Sequence, residues 1–383
     1  MLYRDIFVIL YSMGEPFKNL VNEKLIDRLV SNIKEEYSAF DARGFTTFVL
    51  DDTFVNLELK QRVNRVAEGL YKFLPQDYKE AIGIIDKVVS KYGLETDDWQ
   101  AEFCWFYPSF IEYYGTHDWE TSIPALARYT KHSSSEFAVR PFIVKDQERM
   151  MAQMQEWSKS DCEHIRRLSS EGCRPLLPWG MGIPSLKKDP SPIIPILEQL
   201  KDDPSEYVRR SVANNLNDIS KNQPELVIEL AKKWHGKSKN TDRLIKHALR
   251  TLLKKNNSEA LKMFGFGEKI PVMVSNFSLT KNSTTIGEDT EFSFTVEVKE
   301  ATKVRLEYGI DYQMKSGKPS RKIFQISELP LKENEKRNYT RKHSFKDVSI
   351  RKHYPGKHAV TLIVNGTECG TLEFEVKEGV KEE

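Results

Sequence analysis

From about Asn22 to Gly267 apolar residues recur every three or four positions, the spacing that lines one side of an α-helix. Leu25-Ile26-Leu29-Val30-Ile33, Leu57-Leu59-Val63-Val66-Leu70 and Ile82-Ile85-Val88-Val89 are clear cases. Pro, Gly, Ser and Asn interrupt the runs at short intervals, which predicts many short helices. After Pro271 the period drops to two. Segments 291–298, 303–308, 322–326, 358–364 and 371–376 alternate apolar and polar residues, with weaker runs near Phe277 and Tyr339. About seven short strands in some 110 residues suit an immunoglobulin-like sandwich. No Cys-Trp-Cys arrangement accompanies them, so that expectation rests on strand number.

The helical part repeats. Ile165-Arg-Arg-Leu, Val208-Arg-Arg-Ser and Leu244-Ile-Lys-His fall near the middle of three predicted helices, each preceded by another over roughly 141–157, 192–200 and 224–234. The steps of 43 and 36 between Ile165, Val208 and Leu244 lie near the ~40 to 47 residues of HEAT-type helix pairs. The expected class is multidomain α + β, a HEAT-like α-solenoid over 14–268 followed by an all-β immunoglobulin-like sandwich over 270–383. Residues 1–13 read as a tail or a mis-assigned start, their apolar run Ile6–Tyr11 being too short to cross a bilayer.

One helix is patterned on two sides. Asp203 is placed to act as N-cap with Pro204 at the first helical position. Val208, Val212, Leu216 and Ile219 line one face, and Tyr207, Arg210, Ser211, Asn214 and Asp218 share another. The first stripe is core. The second reads as a working surface, which places Asp218 about 120° from the Val212 direction and makes its side chain dispensable for folding.

Charge narrows the partners. The 383 residues carry 30% charged side chains but a formal net charge of only +2, so affinity for a polyanion must come from local patches. The run Lys336, Arg337, Arg341, Lys342, His343 and Lys346 reads as the solvated face of a strand, with phosphate contact as the alternative. Cys104, Cys162, Cys173 and Cys369 form no CxxC pair, and a zinc site from Cys162, His164 and Cys173 has no familiar spacing, so core or surface thiols are expected there and no metal or cofactor is called for. No apolar run approaches the ~20 residues of a membrane span.

Three carboxylates stand in unusual company. Arg167 precedes Glu171 by one turn, ordinarily a surface pair worth ~0.3 to 0.5 kcal/mol. Glu171, however, stands immediately before Gly172 at a helix C-terminus, where the macrodipole disfavours a negative charge. Glu136 follows Ser133–Ser135 and reads as a first-turn residue. Singly each carboxylate is structural; together with Asp218 they require a joint explanation.

Glu136-Phe-Ala-Val-Arg-Pro-Phe142, the stretch from His164 through Glu171-Gly-Cys-Arg-Pro-Leu-Leu-Pro-Trp-Gly180, and the stretch from Asp203 to Ile219 resemble, in order, the motifs of the AlkC family of HEAT-like-repeat DNA glycosylases. The resemblance spans roughly residues 14–268, and the sandwich resembles the longer subtype. It implies excision of cationic N-alkylated bases, such as 3-methyladenine and 3-methylcytosine, from double-stranded DNA as the first step of base excision repair. Asp218, Glu171 and Glu136 fall on the family's catalytic carboxylates, and Arg167, Arg174, Trp179 and Phe137 on its DNA contacts; Arg210, beside them on the polar stripe, joins the DNA-binding set. Asp218 is the first choice for the carboxylate near C1′, and Arg167 and Arg174 for phosphate contacts. The resemblance further implies no metal, no cofactor, no membrane, no obligate protein partner, a monomer, and a cytoplasmic place in a bacterial cytosol or nucleoid. A non-catalytic DNA-binding HEAT protein and a protein-binding scaffold remain the alternatives.

Overall fold

A computed structural model describes residues 16–92, 104–266, 272–348 and 352–379; the expected tail, 1–13, lies outside them. The described residues form two compact units, one of residues 16–223 and 234–248, the other of 224–233 and 249–379.

The first unit is helical throughout. Glu23–Glu36 packs on Tyr78–Tyr92, Ala42–Val49 on Leu59–Phe73, and Leu59–Phe73 on Phe106–Tyr114. The three repeated motifs sit on Glu163–Glu171, Glu206–Ile219 and Lys239–Ala248, which lie side by side in that order. The helix expected over 141–157 is two, Arg140–Lys145 and Gln147–Trp157, broken at Asp146, whose side chain caps the second through the Arg149 amide at 3.1 Å. Ile194–Leu200 supplies the preceding helix of the next pair.

Helix Glu206–Ile219 departs from its expected form in two ways. It starts later: Ser205 is the N-cap, and Asp203 sits outside it, buried, accepting from Arg166 and from the Ser205 amide. It is also buried on more than its apolar stripe. Neighbouring helices flank it on both sides, so Ser211, Asn215, Asn217 and Asp218 are as enclosed as Val208 and Val212. Ser211 Oγ lies 2.7 Å from Ser170 Oγ, and Asn215 Nδ2 donates to the Ser170 carbonyl at 2.8 Å. Ser211 and Asp218 of the polar stripe thus lie in a hydrogen-bonded inter-helix seam and not on a solvent face, while Tyr207, Arg210 and Asn214 remain half-buried.

The second unit holds the sandwich. β1 (Val272–Leu279), β3 (Asp289–Val298) and β6 (Lys336–Ser344) form a three-stranded sheet in the order β1-β3-β6. β2 (Ser283–Thr285), β4 (Thr302–Tyr312), β5 (Ser320–Leu331), β7 (Gly356–Val364) and β8 (Thr367–Lys377) form the other, in the order β2-β8-β7-β4-β5. Among the described residues eight strands replace the expected seven, because β2 is only three residues long and pairs parallel to β8 without a pattern of its own. Phe292, Phe294 and Val296 interleave with Leu306, Tyr308, Ile310, Val360 and Leu362 in the core between the sheets, as period-two alternation requires. All of the basic run but Lys346 lies on edge strand β6, and His343 points inward. Its Nδ1 lies 3.0 Å from the Tyr308 hydroxyl and its Nε2 2.6 Å from that of Tyr312.

Candidate active site

The three carboxylates converge. Helix Glu163–Glu171 ends at Gly172, where a Cβ would lie 2.5 Å from Val139 Cγ2 and 3.1 Å from Met154 Cε. Only glycine lets the chain turn at such close quarters. The turn returns Arg174 over Glu171, and the last turn of Glu206–Ile219 brings Asp218 to the other side of the same guanidinium. Arg174 Nη1 donates to Glu171 Oε1 at 2.5 Å and its Nε to Asp218 Oδ2 at 2.8 Å. Arg167 Nη1 reaches Glu136 Oε2 at 2.6 Å, and its Nη2 stands 3.6 Å from Glu171 Oε1. Ser134 Oγ bridges, accepting from Arg167 and donating to Glu136, each at 2.7 Å. Lys221 closes the chain at 3.0 Å from Asp218 Oδ1. Charges therefore alternate from Glu136 through Arg167, Glu171, Arg174 and Asp218 to Lys221.

Glu136 does not occupy a helix first turn. It sits in the turn before helix Arg140–Lys145, free of the backbone duty expected of it and held by Arg167 and Ser134 instead. The Glu171 anomaly is resolved by the arginines. Burial alone would raise its carboxyl, but Arg167 and Arg174, with a hydrogen bond from Ser211, outweigh burial and hold it below the ordinary glutamate value. Both guanidiniums are correspondingly pulled down by burial and raised further by Glu136 at Arg167 and by Glu171 at Arg174. The pairs are buried, so removing one member strands a charge in a poorly solvated place.

An open cavity of about 310 Å³ adjoins this chain, at the lower end of small-molecule sites. Glu136, Arg167, Glu171 and Arg174 form its polar wall, and Trp105, Phe137, Leu177 and Trp179 its apolar one. Trp105 meets Phe137 edge-on, with ring centroids 5.8 Å apart. Trp179 is 57% exposed and adopts a φ of +63°, a left-handed conformation costing a bulky residue about 1–2 kcal/mol. Lys60 Nζ donates to the Trp179 carbonyl at 2.8 Å and lies 4.6 Å above the Phe137 ring.

Seven of the eight residues singled out from the sequence, Glu136, Phe137, Arg167, Glu171, Arg174, Trp179 and Asp218, are thus gathered at or directly behind one cavity. Asp218 is the one behind: it is 2% exposed, lies outside the cavity lining and is clamped by Arg174 and Lys221, so it is not a dispensable surface group. Arg174, 7% exposed, donates to two carboxylates and also lines the cavity. The eighth, Arg210, is half-exposed outside the lining. Lys60, Trp105 and Ser134 carried no signal on their own; Lys60 and Trp179 are 119 residues apart. The Cys162, His164 and Cys173 grouping forms no site: the Cys173 thiol is buried and donates to the Ser169 carbonyl at 3.1 Å, and His164 packs edge-on against Tyr207. Among the described residues no three His, Cys, Asp or Glu side chains are placed to hold a metal ion, and no helix is long and apolar enough to cross a membrane.

The comparisons with known proteins bear on the same elements. A family described as DNA alkylation repair enzyme matches residues 130–259, the stretch holding all three carboxylates. The C-terminal Ig-like domain of the uncharacterised protein YhaZ matches 273–378. YhaZ of Bacillus subtilis (strain 168) is 44% identical over 360 residues, which is 94% of this chain and 99% of YhaZ. The alkylpurine DNA glycosylase AlkC of Pseudomonas fluorescens, in a structure bound to DNA containing an abasic site analog, superposes with a TM-score of 0.89 at 35% identity, over 95% of this chain and all of that one. The chain belongs to the AlkC family of DNA alkylation repair proteins. Its helical part and its immunoglobulin-like domain are those of that family, as the order of the three motifs implied.

Proposed function

We propose that this AlkC-family protein is a DNA N-glycosylase that hydrolyses the bond between deoxyribose and a cationic N-alkylated base, such as 3-methyladenine or 3-methylcytosine, in double-stranded DNA. The observation that carries the reading is the cavity wall. Two carboxylates, Glu136 and Glu171, face a space large enough for a small ring, and Glu171 is held ionised. A base already carrying a positive charge needs no general acid to leave. The deoxyribose turns oxocarbenium-like as the bond breaks, and a fixed carboxylate beside C1′ stabilises that charge and accepts a proton from the attacking water. Ionised Glu171 is suited to this task and unsuited to acid catalysis.

Asp218 contributes from behind, holding Arg174 against Glu171. Arg167 does the same for Glu136 and closes the far wall. Trp179 and Phe137 offer faces on which a base or sugar packs. Arg210, half-exposed on helix Glu206–Ile219, contacts a phosphate and so sets position without reading sequence. The helical part, residues 14–268, carries the reaction, and no metal or cofactor takes part; the protein acts as a monomer. The test is incubation of the purified chain with freshly methylated duplex DNA in EDTA, followed by chromatographic identification of the freed bases. Release of 3-methyladenine is expected. Binding of that DNA without release of any base would overturn the reading.

A further inference from the structure

Arg140 has no part in the charge chain, yet it is the largest charged side chain buried without residual exposure. Among the described residues no carboxylate forms an ion pair with it. Instead it holds three main-chain carbonyls: Nε donates to Met181 at 2.5 Å, and Nη1 to Gly172 at 2.8 Å and to Arg174 at 2.9 Å. These acceptors bracket the segment 172–181, which carries both Arg174 and Trp179. Nη2 is buried with no partner, and burial draws the guanidinium down to about 10. Keeping a cation in such a place is costly, and three carbonyls on one short segment indicate what it does there.

That segment needs holding. Trp179 is exposed and left-handed, Pro175 and Pro178 withhold two amides from any hydrogen bond, and within the segment the Gly180 amide donates to the Leu177 carbonyl at 3.1 Å. Gly180 lies against the clamp itself: a Cβ there would meet Arg140 Cδ and Nε at 3.3 Å and Leu177 Cδ2 at 3.0 Å. From the opposite side Lys60 takes the Trp179 carbonyl.

We propose that Arg140 is a positioning residue which fixes the segment 172–181, setting Trp179 at the cavity mouth and Arg174 between Glu171 and Asp218, and through them governs base excision. The excision half rests on the glycosylase reading above; the hold on the segment does not. A side chain that gathers carbonyls from both ends of a segment fixes its path, and a displacement of about 1 Å at a reacting group costs roughly 10²-fold in rate.

The test uses the full-length protein and two variants chosen so that neither removes the buried charge outright. Arg140→Lys keeps the cation but cannot reach three carbonyls. Gly180→Ala keeps Arg140 and presses a methyl group into the clamp. Amide hydrogen exchange across 172–181, read without DNA, is expected to quicken by about tenfold or more in both, with exchange in helix Glu23–Glu36 unchanged. Single-turnover excision is expected to fall by about 10²-fold with DNA affinity retained. In a Trp179→Ala background, the further loss from Arg140→Lys should shrink to about tenfold, the share that passes through Arg174, since coupled residues are not additive. Unchanged exchange across 172–181 overturns the proposal, as does a full additive loss in the Trp179→Ala background. A wild type that frees no base counts against the glycosylase reading and against the excision half, while the exchange data still decide whether Arg140 holds the segment.

Discussion

Replacing Asp218 by Asn separates two duties that the sequence does not distinguish. Asp218 is 2% exposed, accepts from Arg174 Nε at 2.8 Å and from Lys221 Nζ at 3.0 Å, and lies behind the cavity wall. At an effective dielectric near 20, one such contact is worth about 4 kcal/mol of Coulomb energy, most of it offset by the cost of burying the carboxylate. Arg174 keeps Glu171 as a partner after the substitution, and Lys221, 40% exposed, contributes at most about 1 kcal/mol. The net loss of stability is therefore about 1–3 kcal/mol, a fall of roughly 3–10 °C in the melting of a unit of this size. Excision should drop by on the order of tenfold, through loosening of Arg174, and not by the 10² to 10³ that accompanies loss of a charge facing the reacting carbon. Melting and single-turnover rate are measured on one preparation. Wild-type melting together with a 10³-fold slower rate would refute the reasoning and return Asp218 to the cavity.

Three further outcomes follow from the same geometry. Arg210→Ala should weaken DNA binding and make the salt slope shallower by about one, whereas Arg174→Ala should act on melting and leave the slope alone; equal slopes for Arg210→Ala and wild type would remove Arg210 from the phosphate contacts. Glu171 is held below the ordinary glutamate value, so its charge, and the stability it contributes, persist until the pH falls through that lowered value; single-turnover excision should accordingly show no acid limb between pH 5 and 8, and a limb near pH 6 would contradict this. In the sandwich, burial lowers the pKa of His358, and its Nδ1 donates to the Gly356 carbonyl. The unfolded chain therefore takes up the proton first, stability is lost as pH drops below the unfolded value of about 6.5, and His358→Phe should flatten the dependence of sandwich melting between pH 7.5 and 5.5.

Much of the fold was legible because periodicity reports burial directly. Period-three-and-four runs marked the helices, period-two runs seven of the eight described strands, and the recurring motifs at Ile165, Val208 and Leu244 the three helices that lie side by side. Polar residues misled where neighbours decided their surroundings. Ser211, Asn215 and Asp218 are polar at helical spacing and buried all the same, because helices on both sides supply partners that a single helix cannot announce. His343 in a basic run proved to be core, since alternation places one residue in two inward whatever its type. The site was legible as a set of residue types and motifs, but its order was not. That Arg174 stands between Glu171 and Asp218, that Lys60 reaches Trp179, and that Arg140 binds three carbonyls are facts of tertiary approach across 32 to 119 residues.

The central claim is that the ionised carboxylate in the cavity wall drives loss of a cationic base. The most direct measurement is the single-turnover release of 3-methyladenine from one methylated duplex by wild type and by Glu171→Gln, with DNA affinity determined for both. The account predicts release by the wild type, and a rate lower by on the order of 10² to 10³ in the variant, at comparable affinity. Equal rates for the two proteins, or no release by the wild type while it binds that duplex, would contradict it.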